Sequence, residues 1–128
     1  MLVPAKDEAD NLPLLLDLCA QAFAGRPEQY EVVVIDDGSV DATWPVLQAL
    51  KERHPFLRTA RHRARRGIAE SLRTGFLNAR ADILVFFPAD LQFKPEDITR
   101  LVAPILAGES DMVTGYKQGA YEKAFVSR

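Results

Sequence analysis

The run Val32-Val33-Val34-Ile35 constrains the 128-residue chain more than any other feature: four β-branched residues stand in succession. A strand with no polar alternation has no solvent face, so it belongs in a parallel sheet covered on both sides. Parallel strands need crossover connections, and helical patterns flank the run. Leu12, Leu15, Leu16, Cys19 and Phe23 recur on one helical face over 12–23, with Asn11 as N-cap, Pro13 in the first turn, and Gly25 and Pro27 as terminators. A second helix spans 41–53, capped by Asp41 and carrying Trp44, Leu47 and Leu50 on one side. A third spans 67–79, with Ile68, Leu72, Phe76 and Ala79 in register. A fourth spans 95–106, where Pro104 ends or kinks it. The extended segments are 1–4, 31–35, 56–60, 82–87 and 111–114. Such alternation implies right-handed βαβ units and an α/β fold with a mainly parallel sheet flanked by helices. One domain, 1–128, accounts for the pattern, with no internal repeat or linker.

Charge narrows the function classes. Sixteen basic and eighteen acidic residues leave a net charge of −2, against the basic excess of a general nucleic-acid binder. The charge is uneven, since Arg58, Arg61, Arg63, Arg65 and Arg66 crowd one stretch with His54 and His62 beside it. Cys19 is the sole cysteine, so no intrachain disulfide forms, which fits a reducing compartment. Lys6, Asp7 and Glu8 interrupt any early apolar run, so the first residues do not read as a signal peptide. No apolar stretch reaches the roughly 20 residues of a membrane span.

Ligands of open parallel sheets bind beyond the carboxyl ends of the strands. Three acidic segments fall there: Pro4-Ala5-Lys6-Asp7-Glu8, Asp36-Asp37-Gly38-Ser39 and Pro88-Ala89-Asp90-Leu91-Gln92. Each has a plain structural reading, because Asp-Gly is a turn dipeptide and a lone Asp after a strand is commonly a turn former. Their convergence on one edge is the stronger signal. In the Asp36–Asp37 pair, one carboxylate can accept hydrogen bonds from a base or ribose hydroxyl while the other meets a metal or a sugar. The arginine cluster reads as a solvated face, as an anionic-lipid or nucleic-acid patch, or as a diphosphate site. In the last case Gly67 opens a helix whose amides favour anions, and Arg65, Arg66 and Arg73 add positive charge.

These segments resemble family 2 glycosyltransferases, especially polyprenyl-phosphate and dolichyl-phosphate mannose or glucose synthases. The resemblance rests on Val3-Pro4-Ala5-Lys6-Asp7-Glu8 with Asn11-Leu12, on Ile35-Asp36-Asp37-Gly38-Ser39-Val40-Asp41-Ala42-Thr43, on 66–76, and on Asp90-Leu91-Gln92 with Pro95-Glu96. Pro88 stands where the family's metal motif has its first Asp, and Lys6-Asp7 replace Tyr-Asn. The resemblance implies a GT-A fold and inverting transfer of a hexose from a GDP- or UDP-sugar to an acceptor such as a polyprenyl phosphate. A non-catalytic module that keeps the fold is the alternative. Pro4, Ala5, Glu8, Asp36, Asp37, Gly67 and Arg73 would bind the nucleotide-sugar. Asp90, as the catalytic residue, would hold Mg²⁺ or Mn²⁺ with Gln92, and Lys117 and Arg128 would meet an acceptor phosphate. Implied partners are the donor and a lipid phosphate at a membrane surface, with no nucleic acid. The expected location is cytoplasmic and peripheral to the membrane. The pattern is also expected to stop short of the acceptor-binding region. A phosphoacceptor receiver domain fits less well, because its paired acids follow the first strand rather than the second.

Overall fold

The computed structural model describes residues 1–26 and 30–115; Pro27 lies outside them. Two compact units divide the chain, Met1–Ile98 and Thr99–Arg128. In the first unit, β1 (Leu2–Ala5), β2 (Val32–Asp37) and β3 (Leu57–His62) form a parallel sheet in the order β1-β2-β3. All six β2 residues are buried, as expected of a central strand with helices over both faces. The connections are α1 (Leu12–Phe23) and α2 (Thr43–Arg53), and α3 (Ile68–Asn78) follows β3.

The strand pleat divides the packing. Val33 and Ile35 share one face of β2 with Asp37, and α3 covers it: a Cβ on Gly75 would stand 3.1 Å from Ile35 Cδ1 and 3.3 Å from Leu2. Val32, Val34 and Asp36 point the other way, where Gln48 of α2 reaches Thr59 of β3 at 3.4 Å. The α3 contact corrects the sequence expectation. The buried residues of α3 are Ser71 and Gly75, whereas Ile68 and Phe76 are 62% and 54% exposed. Small side chains let the helix lie close on the sheet, and the apolar residues flank that contact.

Other boundaries shift for identifiable reasons. β2 and β3 run past 35 and 60, because the pairs Asp36↔Arg61 and Asp37↔His62 continue the ladder. Asn11 occupies the cap position of α1 but does not cap it; its side chain donates to Glu8 Oε2 at 2.8 Å. Ala42 sits at the start of α2, and Asp41 acts from one residue earlier, accepting the Thr43 amide at 2.9 Å. The strand expected over 82–87 is a single parallel bridge, Leu2↔Phe86, with Leu2 N–H donating to Val85 and Phe87 N–H donating to Leu2. The next β1 residue facing that side is Pro4, which has no N–H to extend the ladder.

A 3-10 turn (Pro95–Asp97) leads into α4 (Ile98–Leu106). Helix α4 passes through Pro104 and stops two residues later. The expected strand over 111–114 is irregular; just before it, the Glu109 and Ser110 amides turn back to the Pro104 carbonyl. A short segment without a paired neighbour gains no ladder.

Candidate functional site at the carboxyl edge of the sheet

Adjacent residues on a strand face opposite ways, and Asp36 and Asp37 have different partners. Asp37 faces α3. Its Oδ1 accepts the Arg66 amide at 2.8 Å and contacts His62 Nδ1 at 2.8 Å, and its Oδ2 accepts the Gly67 amide at 2.9 Å. His62 Nε2 in turn meets Thr74 Oγ1 at 2.7 Å. Burial raises the Asp37 pKa, but the His62 hydrogen bond and the two amides outweigh it and hold the carboxyl below its usual range. Asp37 thus binds the start of α3 as an internal anion, and the Arg66 and Gly67 amides are already engaged.

Asp36 faces α2 and is fully buried. Its Oδ1 accepts the Ser39 amide at 3.0 Å, which closes the Asp36–Ser39 turn. Its Oδ2 has no hydrogen-bond partner. Arg61 Nε stands 3.6 Å away, close enough for charge attraction and too far for a hydrogen bond. The Arg61 guanidinium lies over the Trp44 ring, 5.2 Å from its centroid, so α2 props the cation above the acid. A buried carboxylate oxygen without a donor costs free energy that a bound N–H or O–H would recover.

The loop after β1 is fastened to this turn. Asp7, at φ 55°, accepts the Val40 amide at 2.8 Å and the Asp41 amide at 3.2 Å, and its own amide donates to Ser39 Oγ. The Val40 bond is the main cause that depresses the Asp7 pKa, with the Lys6 contact second. Glu8 N–H donates to Thr43 Oγ1 at 3.0 Å, and Ala9 N–H reaches Asp41 at 3.4 Å. Gly38 completes the lock: its φ is +70°, and a Cβ there would lie 2.4 Å from the Arg65 amide nitrogen. Only glycine allows the 64–65 backbone this close.

The third acidic segment is built more loosely. Asp90 is exposed, and its Oδ1 accepts the amide of Gln92 at 3.1 Å in a local turn. Leu91 between them sits at φ 62°, a left-handed conformation that costs a branched residue about 1–2 kcal/mol. No group of three His, Cys, Asp or Glu side chains forms a metal cluster among the described residues. A magnesium or manganese ion of the kind held by one or two carboxylates plus substrate phosphates needs no such cluster. Asp90 fits that requirement, with Oδ2 free of hydrogen bonds within the described chain and Gln92 exposed beside it.

The geometry therefore brings Ala5, Asp36 and Arg61 level across the sheet edge through the pairs Ala5↔Asp36 and Asp36↔Arg61. Pro4 precedes Ala5, and Glu8 lies half-buried on the adjoining loop. Gly67 is the N-cap of α3, at φ 95°. Arg73 points outward on α3 and faces Glu70 at 3.9 Å. Lys117 and Arg128 lie outside the described residues. Sequence reasoning missed four participants: Asp7 as a latch, His62 between Asp37 and Thr74, the Arg61–Trp44 stack, and the Gly38 close approach. The alternation rule applied to Asp36 and Asp37 would have separated their roles, and the extension of β3 would have placed Arg61 and His62 beside them.

A family model described as Glycosyl transferase family 2 matches residues 1–125. A dolichol-phosphate mannosyltransferase of Pyrococcus furiosus is 35% identical over 115 residues, covering 90% of this chain and 32% of that protein. An undecaprenyl-phosphate 4-deoxy-4-formamido-L-arabinose transferase of Pseudomonas fluorescens is 33% identical over 127 residues, covering 98% and 37%. Among solved structures, glucosyl-3-phosphoglycerate synthase from Mycobacterium tuberculosis, in complex with Mn²⁺, UDP and glucosyl-3-phosphoglycerate, superposes with a TM-score of 0.66 at 26% identity, covering 84% of this chain and 39% of that one. The chain spans about a third of the length of these curated relatives.

Proposed function

Because the chain belongs to glycosyl transferase family 2 and has the GT-A fold, we propose that it forms the donor-binding part of an inverting transferase. The reaction moves a hexose from a GDP- or UDP-sugar to a polyprenyl phosphate, as a step in cell-envelope glycan synthesis at the cytoplasmic surface of a membrane. The observation that carries the proposal is Asp36, a fully buried carboxylate whose Oδ2 lacks a donor at the edge where a doubly wound sheet receives ligands. The names of the two curated relatives supply the acceptor class. Among the described residues, no helix is long and apolar enough to cross a membrane.

In this reading Asp36 Oδ2 accepts an N–H or O–H of the nucleoside, with Pro4, Ala5 and Glu8 beside it. Asp37 positions rather than contacts, fixing the 63–67 loop and the N-terminus of α3 through Arg66 and Gly67. Arg73 faces Glu70 at the surface of α3 and would reach a diphosphate only by leaving that partner. Asp90 and Gln92 would hold Mg²⁺ or Mn²⁺, which would supply positive charge for the departing nucleoside diphosphate. A polyprenyl phosphate is ionised at neutral pH and attacks the anomeric carbon from the face opposite the leaving group, so it needs no general base. The alternative of a fold that binds nothing predicts a flat ligand response.

Thermal unfolding with UDP and GDP, each with Mn²⁺ and with EDTA, tests the proposal. One nucleotide raises the midpoint in Mn²⁺ and does so far less in EDTA, because a ligand of the folded state stabilises by mass action. Asp90→Ala removes the metal-dependent part of the shift. No response to either nucleotide overturns the donor site, and an unchanged response in Asp90→Ala overturns the metal role.

A further inference from the structure

The arginine-rich loop after β3 remains outside the donor reading. Arg63, Arg65 and Arg66 are all exposed, and none of their guanidinium groups has an ion-pair partner among the described residues. The same loop cannot act as an anion nest at its Arg66 and Gly67 amides, because Asp37 already accepts both. Its charge is therefore displayed outward as a surface.

Two large apolar side chains border that charge. Val40, in the loop after β2, is 88% exposed, and Ile68, at the start of α3, is 62% exposed. The two loops are one rigid piece rather than independent flaps. Gly38 stands in backbone contact with Ala64 and Arg65, and Asp7 ties the amides of Val40 and Asp41 down. Of the neighbouring acids, Asp36 and Asp37 are buried and Glu70 faces Arg73, while the exposed Asp7 and Asp41 keep their charge beside Val40, so the positive character belongs to the 63–66 loop.

From this juxtaposition we propose that loops 38–41 and 63–68 form a docking face for an anionic lipid surface. Cationic side chains meet the headgroups, while Val40 and Ile68 enter the boundary beneath them. Exposed arginines flanked by apolar tips match an anionic membrane interface, where charge and shallow insertion act together. A single-stranded nucleic acid is the less suitable occupant. It needs aromatic stacking platforms, and 63–68 contains none. The chain's net charge of −2 also requires the attraction to be local. This face goes beyond the donor site, since Val40, Arg63 and Ile68 have no role in it.

Co-sedimentation with phosphatidylcholine vesicles, with and without phosphatidylglycerol, tests the face. The chain binds when phosphatidylglycerol is present, and added salt releases it. Arg63→Gln with Arg65→Gln lowers the partition by about thirtyfold, on the scale of about fivefold for each of two basic side chains near an anionic surface. Val40→Ser lowers it by about threefold, the loss of a small buried apolar group. A UDP and GDP titration of the same variants separates this face from the donor site. Equal binding to both vesicle types, or unchanged vesicle binding in the double variant, overturns the proposal. So does tighter binding to a single-stranded oligonucleotide than to vesicles. Lost nucleotide affinity with intact vesicle binding also overturns it and returns the arginines to the diphosphate.

Discussion

The turn after β2 and the turn containing Asp90 both carry acids beyond the sheet, yet they are held in opposite ways. Residues 36–41 are gripped from three directions: by Asp7 from the first loop, by Thr43 from α2, and by the 64–65 backbone above Gly38. The Asp90 carboxylate accepts one hydrogen bond among the described residues, from its own Gln92, and the turn keeps Leu91 at positive φ. The contrast teaches where preorganisation resides. In the proposed function, the turn at Asp36 would be preassembled before a nucleoside arrives, whereas Asp90 would gain its remaining partners from the metal and the donor. A rigid wall can select a base by shape, and a loose acid can follow a diphosphate as it leaves.

The largest test of that contrast is Gly38→Ala. The added Cβ would overlap the Arg65 amide nitrogen and the Ala64 carbonyl carbon while the residue remains at φ +70°. Backbone on both sides leaves nothing flexible to yield. Chemical denaturation should show a loss of about 3 kcal/mol or more. A loss below about 1 kcal/mol would mean that the interlocked loops relax freely, and the contrast with the Asp90 turn would disappear.

Next in size is the separation of the two adjacent acids. Asp37→Ala leaves His62 and the Arg66 and Gly67 amides without their acceptor and should cost about 2–4 kcal/mol of stability. Asp36→Asn keeps the shape and should cost under about 1 kcal/mol, while nucleotide binding falls at least tenfold. The pH response follows from Asp37. Its folded pKa is lowered, so the unfolded chain binds more protons in acid. Its contribution is present above the ordinary value of 3.8 and drains as pH falls below it. Acid titration of the Asp37→Ala variant should therefore show a shallower loss over that window. Equal effects of both substitutions on stability and binding would refute the division of labour.

Much of this architecture is legible in sequence. The Val32–Ile35 run announces a buried parallel strand, and the periodicity over 12–23 yields α1 with its buried Leu12, Leu15, Leu16 and Cys19. Legibility fails where close packing replaces hydrophobic periodicity. The apolar register of α3 points to Ile68 and Phe76, but the sheet receives Ser71 and Gly75 because distance of approach, not side-chain polarity, decides that face. It fails again at 82–87, where Pro4 on the neighbouring strand removes a donor that no reading of 82–87 itself reveals. The site residues Asp36 and Asp37 are visible as a motif. Their separate tasks depend on long-range partners, Arg61 and Trp44 for one and His62 and Gly67 for the other.

The smallest expected effect bears on the loose side of the comparison. Leu91 occupies a left-handed conformation that disfavours a branched side chain, whereas asparagine tolerates it. If the Asp90 turn is held mainly by its own local bond, Leu91→Asn relieves strain with little packing lost, because Leu91 is only half-buried. The midpoint of denaturation should then rise by about 0.5–1 kcal/mol of stability. The metal-dependent part of the nucleotide response should weaken by a few-fold, since a relaxed backbone positions Asp90 less firmly. Destabilisation by about 1 kcal/mol or more would show instead that Leu91 packing fixes the turn. In that case both acidic turns are preassembled, and the metal end owes its geometry to the fold rather than to the donor.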